Sequence, residues 1–192
     1  TKLQFQRFDA MYLELEKVLP SKPIRHILNT SGIFNYAEKQ MEMVRLGIGL
    51  YGIGNSEQEL KVLENVSTLK TIISQIREVL PEESIGYSRR FRVTQKMKVA
   101  TIPIGYADGI RRAWGNEKGF VTINNQKATI LGSICMDMMM VDVTNISCKT
   151  GDEVIVFGKN PNVTEMANVI GTIPYEILTG ISQRVKRIFY KN

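Results

Sequence analysis

Phe120-Val121-Thr122-Ile123-Asn124-Asn125-Gln126-Lys127-Ala128-Thr129-Ile130-Leu131 places two short β-rich runs on either side of an Asn-Asn pair. Val, Ile, Thr and Phe suit a pleated, packed surface. Asn tolerates the left-handed backbone of a tight turn. The stretch predicts an antiparallel hairpin, and the same grammar recurs outward from it. Leu69 to Val79 and Met97 to Ile104 precede it; Ile134 to Val143 and Glu153 to Phe157 follow, with Gly151-Asp152 as a further turn signal. Short apolar runs separated by turn residues imply an antiparallel β domain. Near the end, Thr164 to Ile170 reads as a short helix with Thr164 as N-cap. Thr172 to Leu178 reads as a second, with Pro174 in its first turn. Val185 to Tyr190 reads as a closing strand.

Before Gly54 the rhythm is different. Phe5, Phe8, Tyr12, Leu15 and Leu19 recur three and four apart, the spacing of an amphipathic helix, and Pro20 and Pro23 end it. Ile24 to Leu28 reads as a buried strand, Tyr36 to Glu42 as a helical stretch, and Met43 to Leu46 as a second buried strand. Helix, strand, helix, strand is the order of a parallel α/β unit. Two strands do not make a stable sheet of that kind. The first segment, residues 1–56, is therefore expected to be the tail of a larger α/β domain whose front is absent. Residues 57–192 are expected to form the β domain.

Composition narrows the chemistry. The 192 residues are 43% hydrophobic, enough to bury a core without disulfides or metals. Cys135 and Cys148 form neither a C-x-x-C pair nor a zinc motif, so no metal site is expected. His26 is the single histidine, which argues against zinc-hydrolase and Ser-His-Asp chemistry within this chain. The net charge is +6. The basic residues are dispersed (Arg89, Arg90, Arg92, Arg111, Arg112, Arg184, Lys186, Arg187, Lys191) and accompany no nucleic-acid reader motif, so solvated charge or small-anion sites are the better reading. No apolar run reaches the roughly 18 residues of a membrane span, and no signal peptide opens the chain. The expectation is a cytoplasmic protein without a membrane or nucleic-acid partner.

Several segments can carry chemistry, each beside an ordinary structural alternative. Asn29-Thr30-Ser31-Gly32 ends the first strand, where small polar groups can donate to phosphate; it can equally be a polar turn. Arg45-Leu46-Gly47-Ile48-Gly49 ends the second, where a guanidinium and glycine amides can hold an anion, or simply terminate a strand. Gly105-Tyr106-Ala107-Asp108-Gly109 presents a Tyr and an Asp on a sharp turn. Ile134-Cys135-Met136-Asp137 reads as a strand with one charge in an apolar run, and Asp137, if buried, needs a partner. The methionines beside it read as core. Cys135 reads as packing, and His26 as a satisfied strand residue. Tyr87 and Tyr175 sit beside backbone-shaping residues, where a half-buried core tyrosine is the ordinary alternative.

In order, these segments resemble the alanine racemase family, pyridoxal-phosphate enzymes with an N-terminal TIM-like α/β barrel and a C-terminal β domain. The resemblance runs from about Arg25 onward. It rests on Val44 to Gly52, Ile102 to Gly109 and Gly132 to Asp137, with Pro174-Tyr175-Glu176 and Ser182-Gln183-Arg184-Val185 behind them. It implies a mainly β fold, the racemase-type antiparallel domain preceded by the last strands and helices of the barrel. Asn29, Thr30, Gly47, Ile48 and Tyr175 would hold the phosphate of pyridoxal 5'-phosphate, and Arg45 would face its ring nitrogen. Arg is always charged and only donates, so it discourages protonation of that nitrogen and leaves the ring a weaker electron sink. Tyr87 would be one of two catalytic bases, delivered across the interface of a homodimer. Tyr106 and Met136 would touch the substrate, alanine, and Asp137 would fix the geometry around them.

The family's cofactor lysine motif does not occur in these residues, and neither does most of the barrel. The resemblance thus implies the C-terminal part of a racemase, inactive alone, whose parent would supply D-alanine for peptidoglycan. Three alternatives stay open: a fold-related amino-acid decarboxylase, a racemase of another amino acid, and a non-catalytic dimerisation or binding fragment.

Overall fold

The computed structural model describes residues 1–190; residues 191–192, the end of the expected β domain, lie outside it. The chain forms two compact units, Thr1–Val66 and the chain from Ser67 onward.

The first unit opens with helix α1 (Lys2–Val18), which spans the expected amphipathic stretch. Phe5 is its buried anchor and meets the Tyr36 ring edge-on at 5.3 Å. The two segments expected as strands, 24–28 and 43–46, run side by side in the same direction. The Met43 N–H donates to the Arg25 carbonyl (3.2 Å) and the Arg45 N–H to that of Leu28 (2.8 Å). They build no regular ladder, because among the described residues no further strand flanks the pair. Side chains fasten them instead. The Arg25 guanidinium grips the Glu42 carboxylate, its backbone N–H adds a bond of 2.9 Å, and its charge lies 5.0 Å from the centre of the Tyr12 ring. A helix, α2 (Thr30–Asn35), begins where a turn was expected, because the Asn29 side chain accepts from the Gly32 N–H and caps it. The helix expected at Tyr36 to Glu42 shrinks to one 3₁₀ turn, Ala37–Lys39. A third helix, α3 (Glu57–Val62), is capped by Ser56.

The second unit is a β domain. Its strands are β1 (Leu69–Ile72), β2 (Gln75–Val79), β3 (Ser84–Ile85), β4 (Phe91–Arg92), β5 (Met97–Ile102), β6 (Phe120–Ile123), β7 (Gln126–Leu131), β8 (Met139–Asp142) and β9 (Glu153–Phe157). The expected hairpin is β6–β7; Asn124 and Asn125 both have positive φ (48° and 60°), the type I′ geometry that matches strand twist. All four β6 side chains are buried, so this strand is covered on both faces. Seven strands pair in the order β1-β9-β6-β7-β8-β5-β2, and β3–β4 form a separate ribbon. The outermost members, β1 and β2, are halves of one run interrupted only at Ile73-Ser74. The Ile73 N–H donates to the Asp152 carbonyl (2.9 Å) and the Ser74 N–H to that of Thr101 (3.0 Å), so the run faces both edges and the sheet closes on itself. Val79, Ile85, Val93, Val99 and Leu131 pack together inside.

Four local expectations change here. Only Met139–Asp142 of the run 134–143 is a strand, which leaves Ile134 to Met138 as a loop; Met139 points into the core while Met136 and Met138 are exposed. Helix α4 (Val163–Val169) is capped by Asn162, two residues ahead of Thr164. Helix α5 (Pro174–Gly180) starts at Pro174 itself and runs past Leu178. Residues 185–190 join no sheet, and Phe189 is 89% exposed. No described helix is long and apolar enough to cross a membrane.

Candidate functional site

The expected site residues fall into two groups, one in each unit. In the first unit, Asn29, Thr30, Arg45, Gly47 and Ile48 come together where the two side-by-side segments end. Thr30 is buried, and its Oγ1 accepts from the Gly47 N–H (3.1 Å) and the Gly49 N–H (3.3 Å). Those two bonds occupy the hydroxyl's acceptor capacity and leave its own proton to be given away. Gly49 is required there, since a Cβ would lie 2.7 Å from Thr30 Cγ2. Ile48 begins a 3₁₀ turn, Ile48–Tyr51, and its N–H has no partner within that turn. Arg45 is exposed and donates through Nη2 to the Ile27 carbonyl (2.9 Å), which braces the guanidinium and leaves further N–H groups to offer.

Behind this cluster lies a residue that pattern reading missed. Glu59 on α3 is only 1% exposed; its carboxylate accepts from the Asn55 N–H (2.7 Å) and from the Ser31 hydroxyl (3.4 Å), beside Thr30 in sequence. A glutamate in a polar helix reads as solvated charge, so its burial carried no signal. His26, expected to be satisfied in a strand, has a buried Nδ1 without a hydrogen bond.

In the second unit, Tyr87 stands at the tip of the β3–β4 ribbon, 72% exposed. The backbone around it is left-handed at Gly86 (φ 76°), Ser88 (φ 61°) and Arg89 (φ 49°), and the two non-glycine residues are strained. The tip is held from behind: a Cβ on Gly86 would lie 3.1 Å from the Ser133 nitrogen, and one on Gly132 would lie 2.7 Å from the Ile85 carbonyl. Tyr87 and the loop 134–138 therefore share an anchor at Gly132-Ser133.

That loop carries Met136 and Asp137 and is stitched to the Tyr106 turn. The Tyr106 N–H donates to the Cys135 carbonyl and the Ala107 N–H to that of Met136, both at 3.0 Å. Asp137 is not buried: its side chain is 54% exposed, and it pairs with Arg184. Arg184 also donates through Nε to Asp108 Oδ1 at 2.7 Å, and Asp108 Oδ2 accepts from the Gly105 N–H at 2.8 Å. Burial works to raise the Asp108 pKa, but the Arg184 and Gly105 hydrogen bonds win and hold it below its usual value. The two carboxylates in turn hold the guanidinium above its usual value. Burial, slightly offset by Arg112, pushes the Cys135 thiol up, consistent with packing. Tyr175 stands at the start of α5, half in solvent, and α5 is docked by Arg111 Nη2 donating to the Glu176 carbonyl (2.7 Å).

These two groups match known sequences in order. Residues 1–55 match the model of the alanine racemase N-terminal domain, and residues 66–189 that of its C-terminal domain. The chain belongs to the alanine racemase family. Alanine racemase 1 of Clostridium acetobutylicum is 38% identical over 100% of this chain and 52% of its own length. The solved alanine racemase of Clostridium difficile 630, in complex with cycloserine, superposes with a TM-score of 0.88 at 36% identity, covering 96% of this chain and 50% of that one. The alanine racemase of Bartonella henselae, solved with covalently bound pyridoxal phosphate, gives 0.83 at 32% identity over 99% and 53%. The chain thus spans about half the length of the alanine racemases it matches. The relatives bear out the fold expected from the sequence, a racemase-type β domain preceded by the end of the barrel.

Proposed function

We propose that this chain is the C-terminal half of an alanine racemase that interconverts L- and D-alanine with pyridoxal 5'-phosphate and supplies D-alanine for peptidoglycan. It acts as a cytoplasmic homodimer, with residues 1–56 completing the barrel and 57–192 forming the C-terminal domain. The observation that carries the reading is Tyr87: a phenol lifted into solvent on a strained tip, braced at the same Gly132-Ser133 anchor as the Met136 loop.

The first unit suits an anionic cofactor. The Thr30 hydroxyl proton, the Ile48 amide and the Arg45 guanidinium are donors at one place, and the Glu59 carboxylate behind them is turned onto Asn55 and Ser31. Thr30 and Ile48 would hold the phosphate, Asn29 capping the turn beneath, and Arg45 would face the ring nitrogen; the family resemblance gives the Tyr175 phenol a phosphate contact as well. The Gly47 amide already serves Thr30, so its part is to aim that hydroxyl. When bound, pyridoxal phosphate withdraws electrons from the substrate and acidifies its Cα–H. Tyr87 Oη exchanges a proton with one face of Cα, while the opposite face belongs to a base outside this chain. Tyr106 and the Met136 backbone hold the substrate, and Asp137 keeps Met136 in place.

Complementation tests this. In the complete enzyme, Tyr87→Phe removes the proton carrier and leaves cofactor binding intact. A variant of the cofactor lysine fails for the opposite reason. Heterodimers of the two should recover roughly half of wild-type activity, one working site of the two in a twofold dimer. Heterodimers no more active than either parent would overturn the shared assignment of Tyr87.

A further inference from the structure

Two loops that carry the proposed substrate contacts each place a carboxylate just after the contact: Asp108 follows Tyr106 by two residues, and Asp137 follows Met136 directly. Both carboxylates meet one side chain, Arg184, which reaches Asp108 through Nε (2.7 Å) and Asp137 through Nη2. Asp108 is 9% exposed, and it fixes its own turn by accepting from the Gly105 N–H (2.8 Å). The Ser182 N–H donates to the Asp108 carbonyl (3.0 Å), so the segment bearing Arg184 is tied to the same turn by its backbone. The loops touch closely, since a Cβ on Gly105 would lie 2.4 Å from the Cys135 and Met136 carbonyl oxygens. A planar fork with fixed donor directions sets the separation of two carboxylates in a way that a single ammonium does not.

We infer that Arg184 is a positioning residue that sets the spacing of Tyr106 and Met136, and through them the fit of the amino-acid substrate. The inference rests on the function proposed above, and it assigns Arg184 no contact with substrate or cofactor. Its signature is a specificity effect at an intact fold. Arg184→Lys keeps the charge and most of the packing but cannot bridge both carboxylates along the same directions.

The test uses the complete enzyme, with hydrogen exchange and kinetics measured on the same preparations. In Arg184→Lys, exchange at the amides of residues 105–107 and 134–137 should rise roughly tenfold while the β5–β8 ladder stays protected, and the KM for alanine should rise about tenfold with kcat within about twofold. Arg184→Ala should show the same pattern more strongly, and added guanidinium should restore part of the KM. Unchanged exchange at both loops, or a KM and kcat that fall together with protection lost across the sheet, would overturn the inference. If the wild-type enzyme does not racemise alanine, the functional reading fails. The local exchange response then separately decides whether Arg184 sets the loop spacing.

Discussion

Thr30 shows how one hydroxyl organises a site. Its oxygen accepts two glycine amides at 3.1 and 3.3 Å, so the segment from Gly47 to Gly49 is draped over it. Removing that oxygen leaves two amides without their acceptor, and an ordinary hydrogen bond contributes about 0.5–1.5 kcal/mol net. Thr30→Val should therefore lower the urea midpoint of the first unit at constant m-value, while Thr30→Ser, which keeps the hydroxyl and gives up one buried methyl, should lose less stability, about 0.8 kcal/mol. A loss in Thr30→Ser as large as in Thr30→Val would show that the hydroxyl carries no special share. At this scale the sequence was readable where a motif supplied the atoms: Thr30, Gly47 and Ile48 sit where strand-end reasoning put them. It was unreadable where partners are distant. Nothing near Asp137 announces Arg184, and Glu59 looks like any helical surface acid until the fold buries it.

Elements are pinned by single side chains as well as by ladders. Trp114 is fully buried, and its Nε1–H donates to the Met166 carbonyl at 2.9 Å, which fixes α4 against the 3₁₀ turn Arg112–Trp114. Trp114→Phe keeps most of the apolar volume and strands that carbonyl. It should destabilise the second unit by about 1–3 kcal/mol, read by far-UV circular dichroism because the chain has one tryptophan. A loss below about 0.5 kcal/mol would show that the bond contributes little. Strands with local partners were legible: β6 and β7 follow their apolar runs, and Asn124-Asn125 makes the turn it advertises. Segments whose state depends on remote neighbours were not. Residues 24–28, 43–46 and 185–190 have strand composition, yet a ladder needs an adjacent edge, and composition does not report one.

For the molecule as a whole, acid is the informative perturbant. The Arg25 hydrogen bonds hold Glu42 down to about 2, against an ordinary value of 4.5. A folded-state value below the unfolded one contributes stability that is fully present above 4.5 and is lost as pH falls toward 2. Asp108, also lowered despite its burial, acts with the same sign in the second unit. The melting temperature should therefore fall as pH drops below about 4.5. Salt should weaken the exposed Arg25–Glu42 part of that dependence more than the part from Asp108. Asp108→Asn should flatten the salt-resistant part; an unaltered pH profile in that variant would refute the assignment.

The single run that serves as both borders of the sheet has a consequence for how the domain is made. Leu69–Ile72 is translated well before its mate Glu153–Phe157. Until then the nascent sheet is an open ribbon with one unsatisfied rim, and bringing in the last strand is a long-range closure of the kind that slows folding. The second half of the run, Gln75–Val79, finds Met97–Ile102 much sooner. Assembly is thereby split in time: one flank zips with a strand that follows at once, and the other waits for Glu153–Phe157.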